Sequence, residues 1–215
     1  MSGMRIKICG ITNHEDAEAA VRCGADALGL NLYARSPRYV PEERALSIVR
    51  GLPPFVEPVA LFVNDLFDHM LATVRRLGSV ATIQYHGDHL APCPAGAYRF
   101  IPAFAVKDTA SLAAITAFVE RCRREGQAPH ALLVDAHVPG IYGGTGQTAP
   151  WRLLADFQPG VPLILAGGLT ADNVAEAVRL VRPYAVDVAS GVEKSPGQKD
   201  KDKMRRFIDN AHAAV

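Results

Sequence analysis

Residues 162–191 read PLILAGGLTADNVAEAVRLVRPYAVDVASG, and the fold is decided there. Pro162–Ala166 is a short apolar run with the character of a buried strand, and it ends on Gly167-Gly168. Asp172 to Val181 carries the apolar spacing of a helix. Ala185–Ala189 is a second strand, ending on Ser190-Gly191. A strand, a helix and another strand return the chain to the same end of a sheet, so the two strands run parallel. Glycine-bearing loops after two consecutive late strands suit a closed barrel better than the competing layout, an open doubly wound sheet.

The same unit repeats back to the N-terminus. Arg5–Cys9, Ala27–Asn31, Val56–Val63, Ala81–Tyr85, Ala97–Ala103 and Ala131–Asp135 read as strands. Asn13 caps a helix that Gly24 stops near Cys23. Pro41-Glu42-Glu43 opens a second helix, which ends near Gly51. Further helices are expected at Leu66–Leu77, Asp108–Arg124, Trp151–Asp156 and Asp200–Ala213, with only a short, proline-interrupted crossover after the fourth strand. Eight such units of about 27 residues predict an α/β protein, a single (β/α)8 barrel spanning 1–215. No linker or change of composition divides it.

Composition narrows the function. Against 23 Lys+Arg stand 22 Asp+Glu, a formal net charge of +1, with 49% hydrophobic residues. That balance excludes an extended electrostatic footprint for nucleic acid or an anionic membrane, and leaves room for a local basic pocket. Cys9, Cys23, Cys93 and Cys122 show no metal-ligand spacing and are too sparse for a disulfide framework. No apolar run reaches the roughly 20 residues of a membrane span, and the N-terminus lacks the apolar segment of a signal peptide. A cytoplasmic protein with reduced thiols is expected.

In a barrel, chemistry sits on the loops after the strands. Along the first strand Ile6 and Ile8 suit packing against helices, which turns Lys7 and Cys9 toward the barrel axis. A nearby ammonium favours the thiolate, so Cys9 is a candidate base or nucleophile; a buried structural thiol is the plainer alternative. Asp135 closes an otherwise apolar strand and is expected at the barrel mouth, a candidate general acid, against the alternative of a loop cap. Asp187 shares a face with Ala185 and Ala189 and is expected to pair with Lys7 in a structural role. Gly167, Gly168, Ser190 and Gly191 can present backbone N–H groups where barrels often bind phosphate. The glycines at 143–148 fail the nucleotide-loop pattern, with Ile141 and Gln147 where Gly and Lys are required, and read as a loop beside the site. Arg38 is suited to an anion or to solvent. His86 is more readily a hydrogen-bonded structural histidine than a ligand, and no second histidine completes a metal site.

Taken in order, Lys7-Ile8-Cys9-Gly10-Ile11-Thr12, Ser36-Pro37-Arg38-Tyr39-Val40, Gln84-Tyr85-His86-Gly87, Leu133-Val134-Asp135 with Tyr142-Gly143-Gly144-Thr145-Gly146, Ala166-Gly167-Gly168-Leu169 and Asp187-Val188-Ala189-Ser190-Gly191-Val192-Glu193 resemble the phosphoribosylanthranilate isomerase family of tryptophan biosynthesis. The match covers nearly the whole chain. The resemblance implies a cofactor-free Amadori rearrangement of a phosphosugar, with Asp135 as general acid and Cys9 as general base. It further implies that Arg38 faces the anthranilate carboxylate, that Lys7, Gln84, His86 and Gly144 contact substrate, and that Gly167, Gly168, Ser190 and Gly191 cradle the phosphate. A monomer or homodimer is expected. The sister aminoaldose isomerase of histidine biosynthesis is expected to use two aspartates, and Cys9 stands where its first would be. Gln147, Tyr85 and Pro102 depart from the family's usual residues and bear on the shape of the pocket.

Overall fold

Alternation along each strand separates two sets of side chains, and the structure, a computed structural model, keeps them apart. It describes residues 3–88, 98–136 and 151–215. Eight strands form a closed parallel barrel in chain order: β1 (Arg5–Cys9), β2 (Ala27–Asn31), β3 (Glu57–Val63), β4 (Thr82–His86), β5 (Arg99–Val106), β6 (Leu132–Ala136), β7 (Leu163–Leu165) and β8 (Ala185–Val188). β8 pairs back onto β1, with Arg5 opposite Ala185 and Lys7 opposite Asp187. The open-sheet alternative is thereby set aside.

Seven helices lie outside the barrel among the described residues: α1 (His14–Cys23), α2 (Glu42–Arg50), α3 (Phe67–Leu77), α4 (Thr109–Arg124), α5 (Trp151–Leu154), α6 (Val174–Val181) and α7 (Lys201–His212). Asn13 starts α1 as expected, its side chain accepting from the Asp16 N–H, and Gly24 ends it in the left-handed region at φ 103°. The outward strand residues Ile6, Ile8, Leu28, Leu30, Phe62, Ile83, Leu132, Val134 and Val186 pack with the helices into one large core. The inward set Ile101, Ala103, Leu133, Ile164 and Ala185 fills the lower barrel as a second cluster. Cys9, Leu61 and Val63 form a third.

Two departures from the expected layout follow from local chemistry. Between β8 and α7 the chain makes a 3-10 turn, Ser190–Val192, and then a small antiparallel hairpin, β9 (Glu193–Ser195) and β10 (Gln198–Lys199). Its turn is Pro196-Gly197, with Gly197 at φ 80°, the positive value that glycine reaches without strain. Tyr85 points outward and stacks on Phe100 at 6.2 Å. Pro102, opposite Tyr85 in the register, alternates onto the outward face as well, so both unusual residues lie away from the barrel interior. Gln147 and Cys93 lie outside the described residues.

Candidate active site

A buried ion pair stands at the barrel seam. Lys7 Nζ donates to Asp187 Oδ1 at 2.8 Å, and the two side chains are only 5% and 8% accessible. Burial opposes the Lys7 charge, but Asp187 and Cys9 more than offset it and raise the ammonium above its ordinary pKa. The pairing expected from the sequence is therefore present.

Cys9 ends β1 on the same inward face. Burial pushes its thiol above its ordinary pKa; the Lys7 charge works the other way and does not win, partly because Asp187 adds to the upward push. Lys7 thus favours the thiolate as expected, but burial of the sulfur outweighs it. Space for the sulfur comes from β2, where Gly29 stands opposite Cys9 in the register. A Cβ on Gly29 would lie 2.7 Å from Cys9 Sγ and 3.1 Å from Lys7 Nζ.

β4 contributes Gln84 and His86. Gln84 Nε2 donates to His86 Nε2 at 2.8 Å. Burial, and then the Lys7 charge, lowers the His86 pKa to about 4, so the ring is neutral and its Nε2 is free to accept. Gln84 Oε1 is buried with no hydrogen-bond partner among the described residues. A buried acceptor left so is costly unless a ligand or water meets it. β6 places a half-buried Asp135 at the barrel mouth.

After β7, Gly167 and Gly168 take φ values of 84° and 66°. Asn173 holds this loop: its Nδ2 donates to the Gly168 carbonyl at 3.0 Å and its Oδ1 accepts from the Thr170 N–H at 2.8 Å. After β8, Gly191 presses so closely on the β7 loop that an added Cβ would overlap the Leu169 carbonyl oxygen. The two glycine loops therefore form one continuous backbone surface.

These elements surround a cavity of about 590 Å³ at the C-terminal ends of the strands. Cys9, Arg38, Gln84, His86, Asp135, Gly167, Gly168 and Ser190 line it, together with Asn31 and Asp187. Lys7 lies one step deeper along β1, and Gly191 supports the wall without lining it. Gly144 lies outside the described residues. Among the described residues no group of three or more His, Cys, Asp or Glu side chains is arranged to hold a metal ion.

Sequence reasoning missed Gly29, and it missed two charged residues beneath the rim. Glu193 accepts from Arg38 Nε and Nη2 at 2.9 and 2.7 Å. Lys199 Nζ donates to Glu193 Oε1 at 2.9 Å and to the Cys9 carbonyl at 2.6 Å. A glycine inside an apolar strand is a usable sign of close approach. Glu193 closes the quoted run from Asp187 with no role attached to it, and for Lys199 the sequence offers no comparable sign. The site is a pocket that gathers Asp135, Asp187, a thiol, a neutral imidazole, the guanidinium groups of Arg35 and Arg38 and a wall of backbone. Such a set can protonate a leaving oxygen, remove a carbon-bound proton and hold an anion.

Comparison with known proteins is consistent across its three forms. The family model described as N-(5'phosphoribosyl)anthranilate (PRA) isomerase matches residues 6–210. The N-(5'-phosphoribosyl)anthranilate isomerase of Geobacter metallireducens is 48% identical over 98% of this chain and 100% of its own length. The crystal structure of phosphoribosyl anthranilate isomerase from Thermotoga maritima superposes with a TM-score of 0.85 at 38% identity, covering 98% of this chain and 99% of that one. Another solved structure of this isomerase, in complex with reduced 1-(o-carboxyphenylamino)-1-deoxyribulose 5-phosphate, has a TM-score of 0.82 at 34% identity, with 98% and 99% covered.

Proposed function

Because the chain belongs to the N-(5'-phosphoribosyl)anthranilate isomerase family of tryptophan biosynthesis, we propose that its barrel mouth converts N-(5-phospho-β-D-ribosyl)anthranilate to 1-(2-carboxyphenylamino)-1-deoxy-D-ribulose 5-phosphate, with Asp135 as general acid and Cys9 as general base. The observation that carries the assignment is that Cys9 and Asp135, far apart in sequence, line the same cavity from β1 and β6.

In this reading Asp135 protonates the furanose ring oxygen, the C1′–O bond breaks, and the nitrogen lone pair forms the iminium. Cys9 then takes the proton from C2′, and the electrons of that bond flow toward the iminium to give the enolamine. Reprotonation at C1′ and loss of the hydroxyl proton yield the ketone, so the reaction is a net isomerisation. The iminium is itself the electron sink, and no further group is needed to stabilise the carbanion. It also bears on the raised thiol pKa. A cation formed beside the sulfur adds to Lys7 and favours the thiolate where it is needed.

The remaining residues fit around this step. Gln84 Oε1, a buried acceptor without a partner among the described residues, meets a sugar hydroxyl. His86 orients Gln84 and Lys7 supports the thiolate from below. Gly144 is assigned to substrate through the family resemblance alone. The N–H groups around Gly167, Gly168, Ser190 and Gly191 bind the phosphate, and Arg38 faces the anthranilate carboxylate. The protein is proposed to act as a monomer or a homodimer. The proposed setting is the cytoplasm; among the described residues no helix is long and apolar enough to cross a membrane.

Complementation tests the substrate. The chain is expected to rescue a tryptophan auxotroph lacking this isomerase and not a strain lacking the histidine-pathway isomerase; the opposite pattern overturns the assignment. For the acid–base pair, Cys9→Ser and Asp135→Asn are each expected to lower kcat by about two to four orders of magnitude. Near-normal turnover in either variant would remove that residue from its role.

A further inference from the structure

Arg38 reaches the cavity from the loop after β2, yet its side chain is only 13% accessible. It is held on two sides. Its Nε and Nη2 donate to the two oxygens of Glu193 at 2.9 and 2.7 Å. Its methylenes lie against Gly10, where an added Cβ would fall 2.6 Å from Arg38 Cδ. The Glu193 carboxylate is 4% accessible and accepts a further bond from the Gly197 N–H at 3.3 Å.

Glu193 is anchored in turn. Lys199, with 0% side-chain accessibility, donates to it at 2.9 Å, and also to the Cys9 carbonyl at 2.6 Å and the Ala189 carbonyl at 3.2 Å. Burial by itself would push the Glu193 carboxyl upward, but its Arg38 hydrogen bond and the Lys199 charge outweigh burial and hold it below its ordinary pKa. Two cations and one anion leave the cluster with one positive charge, which an incoming carboxylate would neutralise. The side-on pairing occupies Nε and one hydrogen of Nη2. It leaves Nη1 and the second Nη2 hydrogen, the end-on edge that matches a planar carboxylate.

We propose that Glu193 is a positioning residue for this reaction: it grips Arg38 side-on, so that the end-on edge of the guanidinium meets the ring carboxylate of the substrate. Lys199 ties that grip to the end of β1, the strand that carries Cys9, so carboxylate recognition and the base share one anchor. The inference rests on the assignment of Arg38 to the anthranilate carboxylate.

The test separates the two. Inhibition constants are measured for reduced 1-(o-carboxyphenylamino)-1-deoxyribulose 5-phosphate and for the same compound without its ring carboxylate. Wild type, Arg38→Met, Glu193→Gln and Glu193→Asp are compared. The ratio of the two constants reads carboxylate recognition alone, and neither a smaller folded fraction nor a weaker phosphate site moves it. The ratio is expected to fall about tenfold or more in Arg38→Met and by a similar factor in Glu193→Gln. Glu193→Asp keeps the charge but draws the carboxylate back, and should fall part-way; it also carries the test if Glu193→Gln does not fold. An unchanged ratio in Arg38→Met sinks the Arg38 assignment and the proposal with it. A collapsed ratio in Arg38→Met with a preserved ratio in both Glu193 variants leaves Arg38 in place and overturns the role of Glu193.

Discussion

Cys9 stands between opposed influences, and the balance can be measured. Burial raises its pKa, Lys7 lowers it and Asp187 raises it again. Alkylation of Cys9 by iodoacetamide, followed by peptide mass mapping across pH, should therefore give a midpoint above the ordinary thiol value. Lys7→Met should move that midpoint further up, and Asp187→Asn should move it down. A midpoint below the ordinary value in the wild type would contradict the account of the resting thiol. Much of this setting was legible from the sequence. Alternation along Arg5–Cys9 is a local property, and it placed Lys7 and Cys9 inside and Ile6 and Ile8 outside, as found. The sign of the shift was not legible, because burial of the sulfur depends on β2, β3 and β8 closing around it.

At the level of elements, the two glycine loops were readable as a pair because each follows a strand in sequence. Their mutual contact was not, since it depends on how β7 and β8 lie side by side. Gly191→Ala forces a Cβ onto the Leu169 carbonyl, and backbone cannot turn aside as a side chain can. A loss of about 1–3 kcal/mol of stability is expected from this overpacking. Competitive inhibition by inorganic phosphate should weaken with it, because the two loops can no longer share a surface. Urea unfolding and phosphate inhibition, measured on the same preparation, check both halves; undiminished phosphate affinity would mean that the loop contact does not shape the anion site. The hairpin after Ser190–Val192 was overlooked for a similar reason. Pro196-Gly197 announces a turn, but what the turn brings together is Glu193 with Arg38, 155 residues away. Local patterns carry no trace of such a partner.

For the whole molecule, His86 links the site to global stability. Its pKa is about 4 in the folded protein and near 6.5 in the unfolded chain. Above pH 6.5 both states hold it neutral and the contribution is complete. Between pH 6.5 and 4 only the unfolded chain binds the proton, so stability falls as the pH drops; below about 4 both states are protonated and this loss levels off. The full effect is about 3 kcal/mol. His86→Gln should flatten this part of the curve of urea midpoint against pH, and an unchanged slope would show that the ring is protonated in the folded state. The barrel seam has a further consequence, concerning time. Lys7 meets Asp187 across 180 residues of chain, and Lys199 meets the Cys9 carbonyl across 190. Cys9 is therefore synthesised well before Asp187 and Lys199, two of the charges that act on its thiol. Contacts so distant in sequence are late to close. The thiol thus stays beyond the reach of Asp187 until β8 closes onto β1, so its final electrostatic setting is completed only with the barrel itself.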